Sequence, residues 1–224
     1  MFDYAHKDTS GGERQTPTAK LNIPDLGEEL KKLRKSAFER EIPTSDDETL
    51  CVLLTLLRAI KPERILELGT ATGISGIAML EACPAATLTT VEKNEDFFRE
   101  AVRNFKNSGV EDRVRAIFGD AGEEILKLEK NSFDLIFLDC AKVQYIKYLP
   151  ALKQLLKDGA TLIADDILLF GYITGEAEVP KKRKMLVEHI KEYISAVQTD
   201  KEFTTSILNV GNGLAVSVYN PVKI

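Results

Sequence analysis

The chain has no apolar run approaching the roughly 20 residues that span a bilayer, which argues against a membrane protein. Its first 20 residues are polar and charged, lack an apolar centre and do not read as a secretory signal. Cysteine is scarce: Cys51, Cys83 and Cys140 are odd in number and widely spaced. That pattern gives neither a disulfide framework nor a zinc site, and it suits a reducing cytoplasm. The only two histidines, His6 and His189, are far apart in the chain and read as surface residues, not as a nucleophilic relay. Positive charge is in deficit, with 30 Lys and Arg against 35 Asp and Glu and a formal net charge of −5. Broad, unspecific nucleic-acid binding is therefore disfavoured, although a local basic patch survives that balance. Internal repeats and low-complexity segments are absent.

What is present fits one soluble domain of 224 residues, 44% of them apolar. Residues 1–24 read as a flexible tail and 25–224 as the domain, opened by a helical extension over 25–60. Leu26, Leu30, Leu33 and Ala37 recur at helical spacing and predict a helix over about 25–40. Ser45 or Asp46 can cap a second helix, whose centre Leu50-Cys51-Val52-Leu53-Leu54 is apolar nearly all round and should be buried. After Pro62 the pattern alternates. Strands are predicted at 64–68, 87–92, 113–118, 133–139 and 159–165, and helices at 74–82, 95–108, 121–129 and 143–156. Phe97, Phe98, Ala101, Val102 and Phe105 mark the buried face of the helix ending near Gly109. After a loop of about 14 residues, a helix over 181–197 follows, with Leu186, Ile190, Tyr193 and Val197 on one side. Gly211-Asn212-Gly213 joins two final strands, 204–210 and 214–219, as a hairpin, so the last strand should run antiparallel. The alternation implies an α/β fold with a mostly parallel sheet and helices on both faces.

The chain is organised around Arg64-Ile65-Leu66-Glu67-Leu68-Gly69-Thr70-Ala71-Thr72-Gly73-Ile74-Ser75-Gly76. A buried strand ends in a turn of small residues that runs into a helix. Such a turn lies at the carboxyl edge of a parallel sheet, where its backbone can approach an anionic ligand. The spacing Gly-x-x-x-Gly-x-x-Gly departs from the dinucleotide fingerprint Gly-x-Gly-x-x-Gly, so NAD is not the first choice. Four strands end in carboxylates: Glu92, Asp120, Asp139 and the pair Asp165-Asp166. In a parallel sheet these converge on the glycine loop. Glu92, about 20 residues past it, is placed for ribose hydroxyls. Asp139, Asp165 and Asp166 fall on neighbouring strands; oxygen-only ligands crowded together suit a hard cation such as Mg²⁺. Lys142 can reach the same pocket, and a cation beside apolar walls would push its pKa down, as a general base requires.

These motifs, with Gly119-Asp120-Ala121, Asp139-Cys140-Ala141-Lys142 and Gly211-Asn212-Gly213-Leu214, give 26–219 a resemblance to the cation-dependent, S-adenosylmethionine-dependent O-methyltransferases of the catechol and caffeoyl-CoA type. The run Asp139 to Tyr145, and Glu41-Ile42-Pro43, are most similar to a bacterial branch that methylates 5-hydroxyuridine in tRNA. The resemblance implies a Rossmann-like, seven-stranded sheet in the order 3-2-1-4-5-7-6. It implies cofactor binding by Ile42, Thr44, Glu67, Gly69, Ala71, Gly73, Ser75, Glu92, Asp120, Ala121 and Asp139. Glu92 would take the ribose, Asp120 and Ala121 the adenine. Asp139, Asp165 and Asp166 would hold Mg²⁺ or another divalent cation, and Lys142 would be the base with Asp139 beside it. Asp166 stands where the family usually has Asn, Ile74 where it has an aromatic and Asn212 where Asp is common. The resemblance also implies a homodimer, which the first amphipathic helix could mediate. The acceptor expected first is 5-hydroxyuridine in tRNA, whose phosphates the basic run Lys181-Lys182-Arg183-Lys184 with Lys191 could contact; the alternative is a small catechol-like or phenolic acceptor, which the net charge favours. An NAD oxidoreductase or a non-catalytic nucleotide-binding protein is the more distant alternative.

Overall fold

The structure, a computed structural model, describes residues 27–222. The expected tail over 1–24 and the positions Asp25, Leu26 and His6 lie outside the described residues. Two helices come first, α1 (Glu28–Glu39) and α2 (Asp47–Ile60). The Asp46 carboxylate accepts the Thr49 N–H and so caps α2; Lys61, in the left-handed conformation just before Pro62, ends it. The alternating part follows as β1 (Arg64–Leu68), α3 (Ile74–Ala82), β2 (Thr87–Glu92), α4 (Glu95–Asn107), β3 (Val114–Phe118), α5 (Ala121–Glu124), β4 (Phe133–Leu138), α6 (Tyr145–Leu155) and β5 (Leu156–Ala164). Then come α7 (Lys184–Thr199), β6 (Phe203–Leu208) and β7 (Leu214–Tyr219).

The seven strands form one sheet in the order β3-β2-β1-β4-β5-β7-β6, as expected. β1 to β5 pair in parallel; β7 is antiparallel to both β5 and β6. Successive strand residues point to opposite faces, so the central strands feed two cores. Ile65, Leu135, Phe137 and Ile163 pack under α1 to α4. Leu66, Leu68, Ile136, Leu138, Leu162 and Ala164 pack under α6 and α7. Buried on both faces, these strands read as continuous apolar runs.

Several boundaries and faces differ from expectation. The helix expected over 121–129 is a single turn followed by a 3₁₀ turn, because Ile125 and Leu128 drop into the core. β5 begins at Leu156, three residues early, where it pairs with Phe133 ahead of a register shift. On α4 Ala101 and Phe105 are buried but Val102 is exposed, and Asn104 takes its inward place to donate to the Thr72 carbonyl. Val187, not Leu186, heads the buried stripe of α7. Cys51 and Val52 leave α2 only partly covered. His189 is half-buried with Nδ1 inside, not a surface residue.

Candidate functional site

The strand order reverses between β1 and β4, so the chain leaves their carboxyl ends in opposite directions and opens a crevice. There the described residues line a cleft of about 1620 Å³. A drug-sized ligand fills roughly 300–1,000 Å³, so this cleft has room for two small molecules side by side. Its floor is the glycine loop. Gly69 holds φ at +100°, and a Cβ there would lie 2.2 Å from the Asp139 carbonyl oxygen. Only glycine lets the end of β1 lie against the end of β4, where the Asp139 N–H bonds to the Leu68 carbonyl at 2.9 Å. Ala71, also at positive φ, turns its N–H onto Glu92 Oε2 at 2.9 Å, and the Asn94 N–H bonds to Oε1 at 2.8 Å. Each Glu92 oxygen is thus fixed by one backbone donor and keeps a lone pair for a ligand. The Asp120 carboxylate accepts the Gly122 N–H at 2.9 Å and faces the same cleft beside Ala121.

The acids at the ends of β4 and β5 form the second half. Lys142 Nζ sits 2.7 Å from Asp139 Oδ1 and 2.9 Å from Asp166 Oδ2. Hydroxyls from the start of α2 complete the set: Ser45 donates to Asp139, and buried Thr49 donates to Asp165, each at 3.4 Å. Asp165 is 3% exposed. Burial, with the neighbouring Asp139 and Asp166 charges, pushes its carboxyl up to about 8. Burial also raises the Asp139 carboxyl, against the pull of Lys142. The downshift expected of Lys142 presupposes a cation beside it. Burial would lower its pKa, but the Asp139 and Asp166 charges outweigh burial and hold the ammonium above its ordinary value. Among the described residues no three acidic, histidine or cysteine side chains form a ready-made metal cluster. The reason lies in the same contacts: the Lys142 ammonium bridges two of the three acids, and Asp165 turns to Thr49. The donor set itself is all oxygen and, once Asp165 gives up its proton, carries three negative charges against one positive. A hard divalent ion fits that chemistry, provided Lys142 turns aside.

A family model for O-methyltransferases matches residues 21–219. The chain belongs to the O-methyltransferase family. Within that family it is similar to caffeoyl-CoA O-methyltransferase of Populus kitakamiensis, 27% identical over 86% of this chain and 87% of the relative. It is similar to catechol O-methyltransferase of Mycobacterium tuberculosis, 31% identical over 66% and 70%. The crystal structure of a proposed caffeoyl-CoA O-methyltransferase from Staphylococcus aureus superposes with a TM-score of 0.78 at 30% identity, covering 85% of this chain and 92% of that one.

In this O-methyltransferase fold the sequence-derived residues divide into three groups. Ile42, Thr44, Gly69, Ala71, Glu92, Asp120, Ala121, Asp139, Lys142, Asp165 and Asp166 all line the cleft. Gly73 instead serves packing: it caps α3 at φ +84°, and a Cβ there would meet the Phe105 ring at 3.0 Å. Glu67 and Ser75 lie beneath the loop, where fully buried Glu67 accepts hydrogen bonds from the Ser75 and Thr90 hydroxyls. Burial first, partly offset by those two hydrogen bonds, lifts the Glu67 carboxyl to about 7. The basic residues 181–184 do not line the cleft, and Arg183 lies over the Tyr172 ring. Ser45, Phe97, Tyr148 and Phe170 line it unannounced. For Tyr148 a signal existed, since it follows the buried Tyr145 by less than one helical turn.

Proposed function

We propose that the chain is an S-adenosylmethionine-dependent O-methyltransferase that uses a divalent cation and methylates one of two adjacent oxygens on a small, catechol-like acceptor. The supporting observation is that one cleft joins a pinned ribose-type acid, Glu92, to the Asp139, Lys142, Asp165 and Asp166 cluster. On this reading Glu92 takes the ribose hydroxyls through its free lone pairs. Asp120 and Ala121 border the base between the Phe97 and Tyr148 rings, and Ile42 and Thr44 cover the donor from above. Asp139, Asp165 and Asp166 would hold the cation, which when bound supplies Lewis acidity toward the acceptor and the countercharge the three carboxylates need. Lys142 takes the acceptor's proton once it is no longer the carboxylates' own countercharge and has lost its proton. The donor supplies an electrophilic methyl group, and the chain holds the acceptor oxygen behind it. Proximity of that kind carries much of the rate.

A small acceptor is preferred to tRNA on charge. The cleft lining carries ten carboxylates and three cations, which repels a polyanion. The reading is tested by methyl transfer to catechol with and without chelation. Product that disappears on chelation and returns with Mg²⁺ supports it; full turnover after exhaustive chelation, or no heat on titration with S-adenosylhomocysteine, refutes it. Methylation of 5-hydroxyuridine in tRNA with a steep salt dependence would reverse the choice of acceptor.

A further inference from the structure

We infer that Tyr145 is a positioning residue for the cation-type acids, its hydroxyl fixing the two peptide groups from which Asp139, Asp165 and Asp166 project. That role rests on the cation-dependent reading of the cleft. Tyr145 opens α6, three residues after Lys142, and is fully buried. Its hydroxyl donates to the Leu138 carbonyl at 2.8 Å and to the Asp165 carbonyl at 3.3 Å. A peptide group is planar and carries the Cα atoms on both sides of it. The Leu138 carbonyl shares its plane with the Cα of Asp139, and the Asp165 carbonyl shares its plane with the Cα atoms of Asp165 and Asp166. One hydroxyl therefore grips both planes that the three carboxylates leave from.

The strand ladder does not fix those planes alone. It ends with Leu138 paired to Ala164, after which the Asp165 N–H adds one bond to the Leu138 carbonyl at 3.0 Å. Beyond that, Asp166 is left-handed at φ +58°, with its N–H turned back onto Asp165 Oδ1 at 2.7 Å. This turn brings the Asp166 carboxylate to the Lys142 ammonium that also holds Asp139. Tyr145 is held in its own right. Its ring meets Tyr193 of α7 edge-on, with centroids 5.5 Å apart and planes at 67°. Burial, with the nearby Cys140, Asp139, Asp165 and Asp166, keeps its pKa well above the ordinary tyrosine value, so the hydroxyl stays a donor. The Tyr193 hydroxyl, equally buried, has no hydrogen-bond partner among the described residues, so Tyr193 contributes packing alone. Groups one bond behind the ligands of a metal set how well those ligands converge.

The test uses the full chain with Mn²⁺ as the probe, read from the paramagnetic resonance of the free aquo ion with S-adenosylhomocysteine present. Tyr145→Phe keeps the ring and removes the hydroxyl. It should weaken Mn²⁺ binding about tenfold, while S-adenosylhomocysteine affinity by calorimetry stays within a factor of about three. The Mg²⁺ concentration for half-maximal methylation of catechol should rise about tenfold as well, with kcat at saturating Mg²⁺ near the wild-type value. Two controls separate positioning from general loosening. Tyr193→Phe removes a hydroxyl without a partner, and Thr205→Val removes one that donates to the Val197 carbonyl at 2.7 Å on the far edge of the sheet. Both should hold Mn²⁺ affinity within about twofold. Wild-type Mn²⁺ affinity in Tyr145→Phe overturns the inference and leaves the methyltransferase reading standing. So does a loss that Thr205→Val matches, or one that S-adenosylhomocysteine affinity shares. A wild-type chain that binds no Mn²⁺ removes the inference and the cation-dependent reading together.

Discussion

Glu67→Gln is the substitution whose outcome the structure fixes most closely. Glu67 is fully buried on β1, and its two oxygens accept from the Ser75 and Thr90 hydroxyls. Burial lifts the carboxyl from 4.5 to about 7, against those two hydrogen bonds. The folded value therefore exceeds the unfolded one, and the folded state binds the extra proton between about pH 4.5 and 7. Stability falls as the pH rises through that window and the loss is complete above it. A change of that size amounts to about 3 kcal/mol. Glutamine keeps the shape and removes the charge, but its amide must donate where an oxygen accepted, which inverts one hydrogen bond at a cost of about 1 kcal/mol.

The variant should therefore be more stable than the wild type by about 2 kcal/mol at pH 8, a rise in Tm of roughly 4–8 °C for a domain of this size. Near pH 4.5, where Glu67 is protonated, the two should agree within about 1 kcal/mol. Urea unfolding of both proteins from pH 4.5 to 8, without ligands, measures this directly. Asp165, pushed up to about 8, imposes a slope of the same sign on both proteins and drops out of the difference. A difference that stays constant across the range, or a variant less stable at pH 8, would show that Glu67 does not carry a buried charge.

Gly69→Ala would put a methyl group 2.2 Å from the Asp139 carbonyl oxygen at a φ of +100°. It should cost about 3 kcal/mol or more, and a wild-type urea midpoint would refute the close approach of β1 and β4. Lys142→Met removes the proposed base while the donor site stays in place. The rate constant of methyl transfer should fall by about 10²–10⁴ with S-adenosylhomocysteine affinity within a factor of about three of wild type by calorimetry; near-normal turnover would exclude Lys142 as the base. In Tyr145→Phe, the lost hydroxyl is the one that donates to the Leu138 carbonyl at 2.8 Å between the ends of β4 and β5. Denaturation should show a loss of about 1 kcal/mol, and an unchanged midpoint would mean that this bond contributes nothing.

How much of this could be read in the sequence follows from which forces decide each feature. The ends of β1 to β5 were legible because backbone pairing alone sends every parallel strand to the same edge, whatever the side chains do. Glu92, Asp120, Asp139, Asp165 and Asp166 therefore had to meet there, and all five line the cleft. Helix faces are decided by neighbours, and there the reading slipped: Val102 yields its inward place to Asn104, whose amide satisfies the Thr72 carbonyl. Leu169 and Phe170 carry no glycine or proline signal for their left-handed backbone; only Gly171 after them does. Ser45 and Thr49 look like ordinary residues at a helix start, yet they meet acids more than 90 positions away. The direction of the Lys142 pKa is not legible in the sequence for a related reason. Its direction depends on whether a second cation accompanies the acids, and a sequence lists the groups without their occupancy. With Asp139 and Asp166 at 2.7 and 2.9 Å, the ammonium is the more stable form. The same side chain can be a countercharge in one state of the cleft and a base in another, because what sets its proton affinity is the charge it faces, not its place in the chain.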